Sequence, residues 1–265
     1  MLRNLPCAAL GTLAAAAFLL GGCEATLGSD GGGGSPPTEP PRRVQVPNDA
    51  TPTRVDIGGY SLAVRCSGRG RPAVVLEAGY GLSSARWRRT QRVVQRTHRV
   101  CSYDRAGIGR SDERPRGAGG ATTEGELRAL LRAIGLKPPY VLGGHSAGGA
   151  HIADFARAYP EEVVGLVLVD AVSPGPLPAE LGDAPLVVLE QGRDRAWSEG
   201  QAQSARLSSN ALHIVALESG HHIQASQPGL VAAAIRTVAR AGRSGRLPPC
   251  QRLAARFAAQ CLPVS

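Results

Sequence analysis

Lysine and aromatic residues are scarce in this chain. Lys137 is the only lysine among 30 basic residues, and aromatic residues make up 4% of the 265 positions. The formal net charge of +9 is therefore carried by arginine. A nucleic-acid surface would be expected to interleave aromatic side chains with its cations or to belong to a recognised module, and we expect no nucleic-acid partner. Six arginines cluster around Trp87, and we interpret them as a solvated helix face or a contact with anionic lipid headgroups: Arg86, Arg88, Arg89, Arg92, Arg96 and Arg99.

Long apolar runs are also missing, because the longest, at 8–20, is too short and too rich in alanine for a membrane span. It follows Arg3 and ends in small residues, which indicates a signal peptide at 1–22. The ending Leu-Gly-Gly-Cys at 20–23 resembles the bacterial lipobox, and the resemblance implies lipidation of Cys23. We expect an exported lipoprotein anchored to the cell membrane. The alternative is an ordinary signal peptide and a secreted protein.

The region after the signal peptide is rich in glycine and proline. Residues 23–50 include four consecutive glycines and two Pro-Pro pairs. Such a segment cannot bury much apolar surface, and we expect a disordered tether. Residues 51–265 contain enough chain for one domain with a full core.

Cysteine is rare, and an even number of cysteines remains after the signal peptide and Cys23 are set aside. Four cysteines in an exported protein suggest disulfides, and four cysteines allow three pairings. Cys250 and Cys261 flank a short helical segment, so we pair them, and we pair Cys66 with Cys101 because both lie in or at the end of predicted strands. No spacing of histidine and cysteine resembles a zinc site.

Apolar strands and amphipathic helices alternate along the domain. This order predicts an α/β fold with a mostly parallel sheet of about eight strands and helices on both faces. We predict strands at 54–57, 61–65, 73–77, 99–103, 140–142, 163–170, 185–190 and 212–217, and helices at 83–95, 123–134, 150–158, 196–209 and 230–240.

The pentapeptide Gly-His-Ser-Ala-Gly at 144–148 lies between a predicted strand and a predicted helix. This is the context of a nucleophile elbow, in which a tight turn presents the serine hydroxyl to a base. Ser146 is therefore the candidate nucleophile. The base should follow it in the chain, and the sequence Ser-Gly-His-His at 219–222 comes directly after the last predicted strand. We assign His221 as the base and His222 as a neighbour that lines the site.

These segments together resemble the α/β-hydrolase superfamily, of the serine esterase and lipase type, over about 53–241. The resemblance implies a serine hydrolase of carboxylic esters that needs no metal or organic cofactor, and a small-molecule or lipid ester as its substrate. The motifs that carry it lie at 76–81, 103–112, 144–148, 167–170 and 219–221.

The third member of the triad has two candidates. Asp194 has the commoner position in such folds, after the strand at 185–190, and Asp170 ends the strand at 163–170. We favour Asp170, because the end of an apolar strand would bring its carboxylate to the catalytic edge of the sheet, whereas Asp194 lies between two arginines in a charged loop. The resemblance also implies an oxyanion hole made by the backbone N–H groups of Tyr80 and Ala147, and we interpret Asp104 and Arg105 as an ion pair that braces the elbow.

The linker at 171–185 is short and includes Pro174, Pro176 and Pro178, so we expect a minimal cap or none and an open site. Two further hypotheses remain. The same triad could serve an acyltransferase, or the domain could be a non-catalytic hydrolase-like binding module.

Overall fold

The computed structural model describes residues 43–116, 122–173, 181–194 and 197–264. The signal peptide and Cys23, most of the tether and the middle of the linker at 171–185 lie outside the described residues. In the described part, the strands are β1 (Thr53–Asp56), β2 (Ser61–Ser67), β3 (Ala73–Glu77), β4 (Val100–Tyr103), β5 (Tyr140–His145), β6 (Val163–Val169), β7 (Leu186–Gln191), β8 (Ala211–Ala216) and β9 (Ala259–Leu262). The α-helices are α1 (Arg88–Val94), α2 (Thr123–Ala133), α3 (Ala147–Ala158), α4 (Ser198–Ala205), α5 (Ile223–Ser226), α6 (Pro228–Ser244) and α7 (Gln251–Ala254).

The strands form one sheet in the order β1-β2-β4-β3-β5-β6-β7-β8-β9. The six strands from β4 to β8 along this order pair in parallel, and β1, β2 and β9 pair antiparallel at the two edges. The α/β-hydrolase fold with a mostly parallel sheet is therefore confirmed. The sheet has one strand more than the eight expected, because β9 was not predicted.

The apolar strands form the centre of the sheet because both of their faces are covered. In β3 every residue is buried. Val75 packs into the layer formed by α2, α3 and α4, whereas Val74 and Leu76 pack into the layer formed by α1 and α6. This alternation follows from the two-residue period of a strand, which points successive side chains to opposite faces.

Helix boundaries differ modestly from the sequence prediction. The predicted helix at 83–95 begins as a 3-10 helix, Ser84–Trp87, and continues as α1. Helix α2 begins as expected, because the Thr122 hydroxyl accepts a hydrogen bond from the Gly125 N–H group. Helix α6 runs longer than predicted and ends at Ser244, where it is capped by Gly245, whose φ of 76° suits glycine.

The domain begins before residue 51, where we placed its boundary. The Val44 N–H group donates to the Ala133 carbonyl oxygen at 2.9 Å, and Asp49 forms an antiparallel bridge with Ser67. Asn48 also accepts a hydrogen bond from Arg99. Residues 43–50 thus contact the domain instead of forming the end of the tether.

Both expected disulfides are present. Cys66 on β2 is bonded to Cys101 on β4, and Cys250 at the start of α7 is bonded to Cys261 on β9. The first joins neighbouring strands, and the second ties the edge strand to the helix before it. Of the helices in the described ranges, none is long and apolar enough to cross a membrane.

Candidate active site

The turn between β5 and α3 holds Ser146 in a strained conformation. Ser146 has φ of 52° and ψ of −126°, a region that residues other than glycine rarely adopt. Its N–H group donates to the Val169 carbonyl oxygen at 3.1 Å, and its own carbonyl oxygen accepts from Gly149 and Val172. These backbone bonds fix the turn from both sides. The side chain is therefore held at the carboxyl edge of the sheet, between β5 and α3.

The two glycines that flank Ser146 are required by close backbone contacts. A Cβ atom on Gly144 would lie 2.4 Å from the Gly148 carbonyl oxygen, and one on Gly148 would lie 2.6 Å from the Ala78 carbonyl oxygen. Both distances are far below van der Waals contact. Glycine at these two positions lets the helix α3 begin directly against the strand and against the loop after β3.

Asp170 follows β6 directly and is almost completely buried, with 1% of its surface exposed. Its φ of 42° is in the left-handed region, and its N–H group donates to the Leu189 carbonyl oxygen at 2.7 Å. Oδ1 accepts a hydrogen bond from the Gln191 N–H group at 3.0 Å. Oδ2 lies 2.6 Å from Nδ1 of His221. Both carboxylate oxygens are thus engaged, which fixes the orientation of the carboxylate.

His221 lies in the loop between β8 and α5, and 39% of its side chain is exposed. Because Nδ1 faces the Asp170 carboxylate, Nε2 is the ring nitrogen left to act toward a substrate or a nucleophile. Asp194, the other candidate acid, is exposed in the loop after β7. The structure brings Asp170 to His221.

The imidazole of His145 connects the elbow to this loop. Its Nε2 atom lies 2.9 Å from the His221 carbonyl oxygen, and its ring centroid lies 4.5 Å from that of His221. His145 directly precedes Ser146, so Ser146 and His221 are brought to the same region. Burial, and then the charges of His221 and other neighbours, lower the pKa of His145 to about 3. His145 is therefore neutral and donates through Nε2 to the carbonyl. His222 lies beside the rings of His145 and His221. Burial, and then the charge of His221, lower the pKa of His222 as well.

The loop after β3 approaches the elbow closely. A Cβ atom on Gly79 would lie 3.0 Å from the Cβ atom of Ser146. Tyr80, the next residue, has 90% of its surface exposed, so its side chain projects into solvent. Ala147 begins helix α3, where the first N–H groups have no partner within the helix. Ala147 and Gly79, the residue before Tyr80, thus lie beside Ser146.

Arg105 holds the loop that carries Tyr80. Its guanidinium donates to the carbonyl oxygens of Ala78 and, at 2.6 Å, of Gly79. It also pairs with Glu77 at 3.3 Å. Two adjacent carbonyls are therefore fixed by one planar group, a task that suits arginine better than lysine.

The predicted ion pair between Asp104 and Arg105 is wrong. The Asp104 carboxylate instead accepts hydrogen bonds from the N–H groups of Ser84 at 2.7 Å and Arg110 at 3.1 Å. Arg105 turns away to Glu77 and the loop. Both residues do brace the region around the elbow, but with separate partners. Adjacent residues were the obvious pair in the sequence. The partners of Asp104 lie 6 and 20 positions away, and those of Arg105 lie 26 to 28 positions away.

A buried polar network supports Arg105 and was missed by sequence analysis. Glu77 accepts from the hydroxyl of Tyr103 at 2.7 Å and contacts Nδ1 of His151 at 2.6 Å. Burial, and then the charge of Glu77, raise the pKa of Tyr103 well above its ordinary value. A carboxylate at the end of an apolar strand was the available signal. The Gln191 N–H donor to Asp170 could only have been found from the register of β6 and β7.

A cavity of about 350 Å³ opens beside His221. Trp197, half exposed, has its ring centroid 6.4 Å from that of His221. In the described ranges, no group of three histidine, cysteine or acidic side chains is arranged to hold a metal ion. The cavity is lined by Arg89, Gly220, His221, His222, Ala225 and Ser226.

The alpha/beta hydrolase fold family matches residues 72–220, more than half of the chain. The chain belongs to this family. The assignment supports hydrolase chemistry in general, in agreement with the motifs at the sheet edge.

Similar proteins span several named activities. YqjL of Bacillus subtilis, named as uncharacterised, is 27% identical over 205 residues, which is 61% of this chain and 81% of that protein. The non-heme chloroperoxidase of Streptomyces lividans is 37% identical over 103 residues, 38% of this chain and 37% of its own. Among the relatives with the strongest matches, the shared segment spans from 18% to 81% of the relative's length.

A solved esterase structure from Thermogutta terrifontis superposes with a TM-score of 0.62 at 23% identity. The alignment covers 73% of this chain and 99% of the esterase. At this level of identity, the likeness concerns the fold.

Proposed function

We propose that this protein hydrolyses carboxylic esters with Ser146 as nucleophile, His221 as general base and Asp170 as the residue that orients the base. The observation that carries the proposal is the 2.6 Å contact between Nδ1 of His221 and Oδ2 of Asp170, on the loop next to the strained elbow of Ser146. A serine hydroxyl is a weak nucleophile unless a positioned base takes its proton.

The reaction follows in two halves. Nε2 of His221 accepts the proton of the Ser146 hydroxyl while the oxygen attacks the ester carbonyl carbon. The protonated imidazole, stabilised by Asp170, then gives that proton to the departing alcohol and leaves an acyl-serine. In the second half, water attacks the acyl carbon as His221 takes its proton. Return of the proton to Ser146 releases the acid and restores the site.

The N–H groups of Tyr80 and Ala147 are proposed to bind the oxyanion that forms in each half. Support comes from the approach of Gly79 to within contact of Ser146 and from Arg105, which fixes the carbonyls of Ala78 and Gly79. Because a peptide unit is planar, fixing the Gly79 carbonyl also fixes the direction of the Tyr80 N–H group. Fixed donors of this kind stabilise charge without reorganisation during the reaction.

The surroundings of His221 favour an accessible ester over a small enclosed metabolite. His221 itself is more than one third exposed, and Trp197 and Tyr80 present apolar rings at the surface beside the site. Exposed aromatic rings next to a catalytic serine suit an acyl chain. An acyltransferase would use the same residues with an alcohol in place of water.

The test is labelling with a fluorophosphonate probe, followed by hydrolysis of short p-nitrophenyl esters. We expect labelling and turnover in the wild type and neither in Ser146→Ala. Ser244→Ala, which removes an exposed hydroxyl at the end of α6, is the matched control and should label fully. A folded wild type that does not label would overturn the proposal and favour a binding module.

We also propose that the protein is exported and anchored through a lipid on Cys23. The two disulfides in the described residues support an oxidising compartment. The expected result is that Cys23→Ser shifts the protein from the membrane fraction to the medium. Equal membrane retention of the variant would show that the anchor is something else.

A further inference from the structure

A groove lined by four arginines lies next to the proposed active site. Its volume is about 510 Å³, and Ala85 and Ala225 complete its lining. All four arginines are exposed. We call this feature the arginine groove, and its four cations are Arg86, Arg88, Arg89 and Arg92.

Within the described residues, these four arginines have no acidic ion-pair partner. Among the ion pairs between residues that the structure describes, none involves any of them. Elsewhere in the described chain, arginines such as Arg54, Arg114 and Arg128 do pair with carboxylates. Four neighbouring cations repel one another, and an anion in the groove would relieve that repulsion.

The arginine groove is continuous with the cavity beside His221. Arg89 and Ala225 line both spaces. Arg89 is fixed at the junction, because its guanidinium donates to the Ala225 carbonyl oxygen at 3.1 Å. The charge of Arg86 reaches the site as well, since it contributes to the lowered pKa values of His145 and His222, after burial and the charge of His221.

At its other end, the groove meets a cavity of about 320 Å³ through Arg88 and Arg92. Arg65 lines this cavity with only 7% of its surface exposed, and its buried Nε atom has no hydrogen-bond partner in the described part of the chain. Burial, and next the charge of Arg88, lower the pKa of Arg65. A buried cation with an unused donor is unfavourable unless an anion reaches it. Positive charge therefore extends from the His221 cavity to Arg65, and among the residues that line these three spaces only Asp49, in the cavity of Arg65, carries a carboxylate.

We infer that the arginine groove binds the anionic group of an ester substrate, a phosphate monoester being the best match, while the ester carbonyl of the same molecule lies at Ser146. Arginine suits this group because its planar fork donates two hydrogen bonds to phosphate oxygens. The inference rests on the proposed ester hydrolysis. Water cleaves the acyl C–O bond to give the free acid and the phosphate-bearing alcohol, and the phosphate itself stays intact.

A soluble pair of substrates tests the inference without a membrane. The two are 1-butyrylglycerol 3-phosphate and 1-butyrylglycerol, which differ only in the phosphate, and release of butyrate gives kcat/KM for each. For the wild-type full chain we expect the phosphate ester to be preferred by tenfold or more, which corresponds to about 1.4 kcal/mol. The preference should fall as salt is added, because the contact is exposed and screened.

Two variants are compared for this preference. Arg92→Ala removes an exposed cation of the groove that makes no side-chain hydrogen bond or ion pair with another described residue, and it should lower the ratio of the two kcat/KM values by about fivefold. Arg89→Ala should lower it further. Arg252→Ala is the matched control, because Arg252 is an exposed arginine in a separate arginine-lined cavity of about 250 Å³ between α6 and α7. Its ratio should equal that of the wild type.

The outcomes separate the two proposals. Labelling of Ser146 and turnover of 1-butyrylglycerol without any preference for phosphate would overturn the groove inference alone. Absence of labelling would overturn the proposed function and the groove inference with it. If Arg92→Ala instead weakens sedimentation with phosphatidylglycerol vesicles and leaves the ratio unchanged, the groove contacts the membrane and the substrate assignment is wrong.

Discussion

His145 holds the backbone of His221. Its Nε2 atom donates to the His221 carbonyl oxygen at 2.9 Å, and the ring is completely buried. The residue before the proposed nucleophile therefore positions the loop that carries the proposed base. The imidazole is held neutral, since Nδ1 is buried without a partner in the described structure and a second proton there would have no acceptor.

Stability should fall in mild acid because of His145. Its pKa is about 3 in the folded protein and near 6.5 when the chain is unfolded. The unfolded state therefore binds the proton first, and the stability contribution is lost as the pH falls from about 6.5 toward 3. Between pH 7 and pH 5 we expect a loss of about 2 kcal/mol. Urea unfolding at both pH values measures it.

His145→Gln is the control for this effect. The glutamine amide can still donate to the His221 carbonyl but does not titrate. His98 and His222, whose pKa values are also lowered by burial, contribute equally to both proteins. The difference between the wild type and the variant thus isolates His145, and an identical pH dependence in the two would contradict the assignment.

Asp170 and Asp194 should respond differently to the same substitution. Asp170→Asn removes the charge that faces Nδ1 of His221 and allows the wrong tautomer, so kcat/KM should fall by about a thousandfold or more. Asp194→Asn changes an exposed residue and should stay within about threefold of wild type. Steady-state kinetics on a p-nitrophenyl ester decides between them. The reverse order of effects would return the role to Asp194.

Arg105→Lys should lower kcat more than it changes KM. Lysine keeps a charge opposite Glu77 but cannot hold the Ala78 and Gly79 carbonyls together. A loosened loop misdirects the proposed Tyr80 donor, and we expect kcat to fall by about ten- to a hundredfold. Arg114→Lys is the control, because Arg114 pairs with the buried Glu126 in a similar way. Equal losses in the two variants would indicate a general loss of stability.

Gly148→Ala should destabilise the protein even though alanine is the better helix former. The new Cβ atom would lie 2.6 Å from the Ala78 carbonyl oxygen and 2.7 Å from that of Glu77. We expect the free energy of unfolding to fall by about 2 kcal/mol. Gly200→Ala in α4, with its closest contact at 3.5 Å, should be neutral or stabilising by up to about 1 kcal/mol. Denaturant unfolding of both variants makes the comparison.

Local patterns were enough to predict the framework and the principal loops. A few neighbouring residues were enough to recognise the apolar runs of β3 and β6 and the Gly-His-Ser-Ala-Gly turn. The side-chain pattern of a strand and the backbone requirements of a tight turn are both local. The choice of Asp170 over Asp194 also came from a local feature, the end of an apolar strand. In the structure, Oδ2 of Asp170 lies 2.6 Å from Nδ1 of His221.

The long-range contacts could not be predicted from the sequence. Strand β9 has four residues without a period, and it forms because β8 offers an unpaired edge. The partners of Arg105 lie on β3 and in the loop that follows it, and no spacing encodes that approach. The His145 contact depends on the packing of β5 against the loop after β8. The continuity of the arginine groove with the His221 cavity likewise arises only when α1 packs beside α5.

The positive φ angles of Ser146 and Asp170 bear on how this chain would evolve. Glycine would adopt either conformation without the strain of roughly 1–3 kcal/mol that a side chain incurs there. Selection for a stable fold alone would therefore favour glycine at both positions. Descendants of this protein that no longer needed the reaction should lose these two side chains early, well before the core that surrounds them.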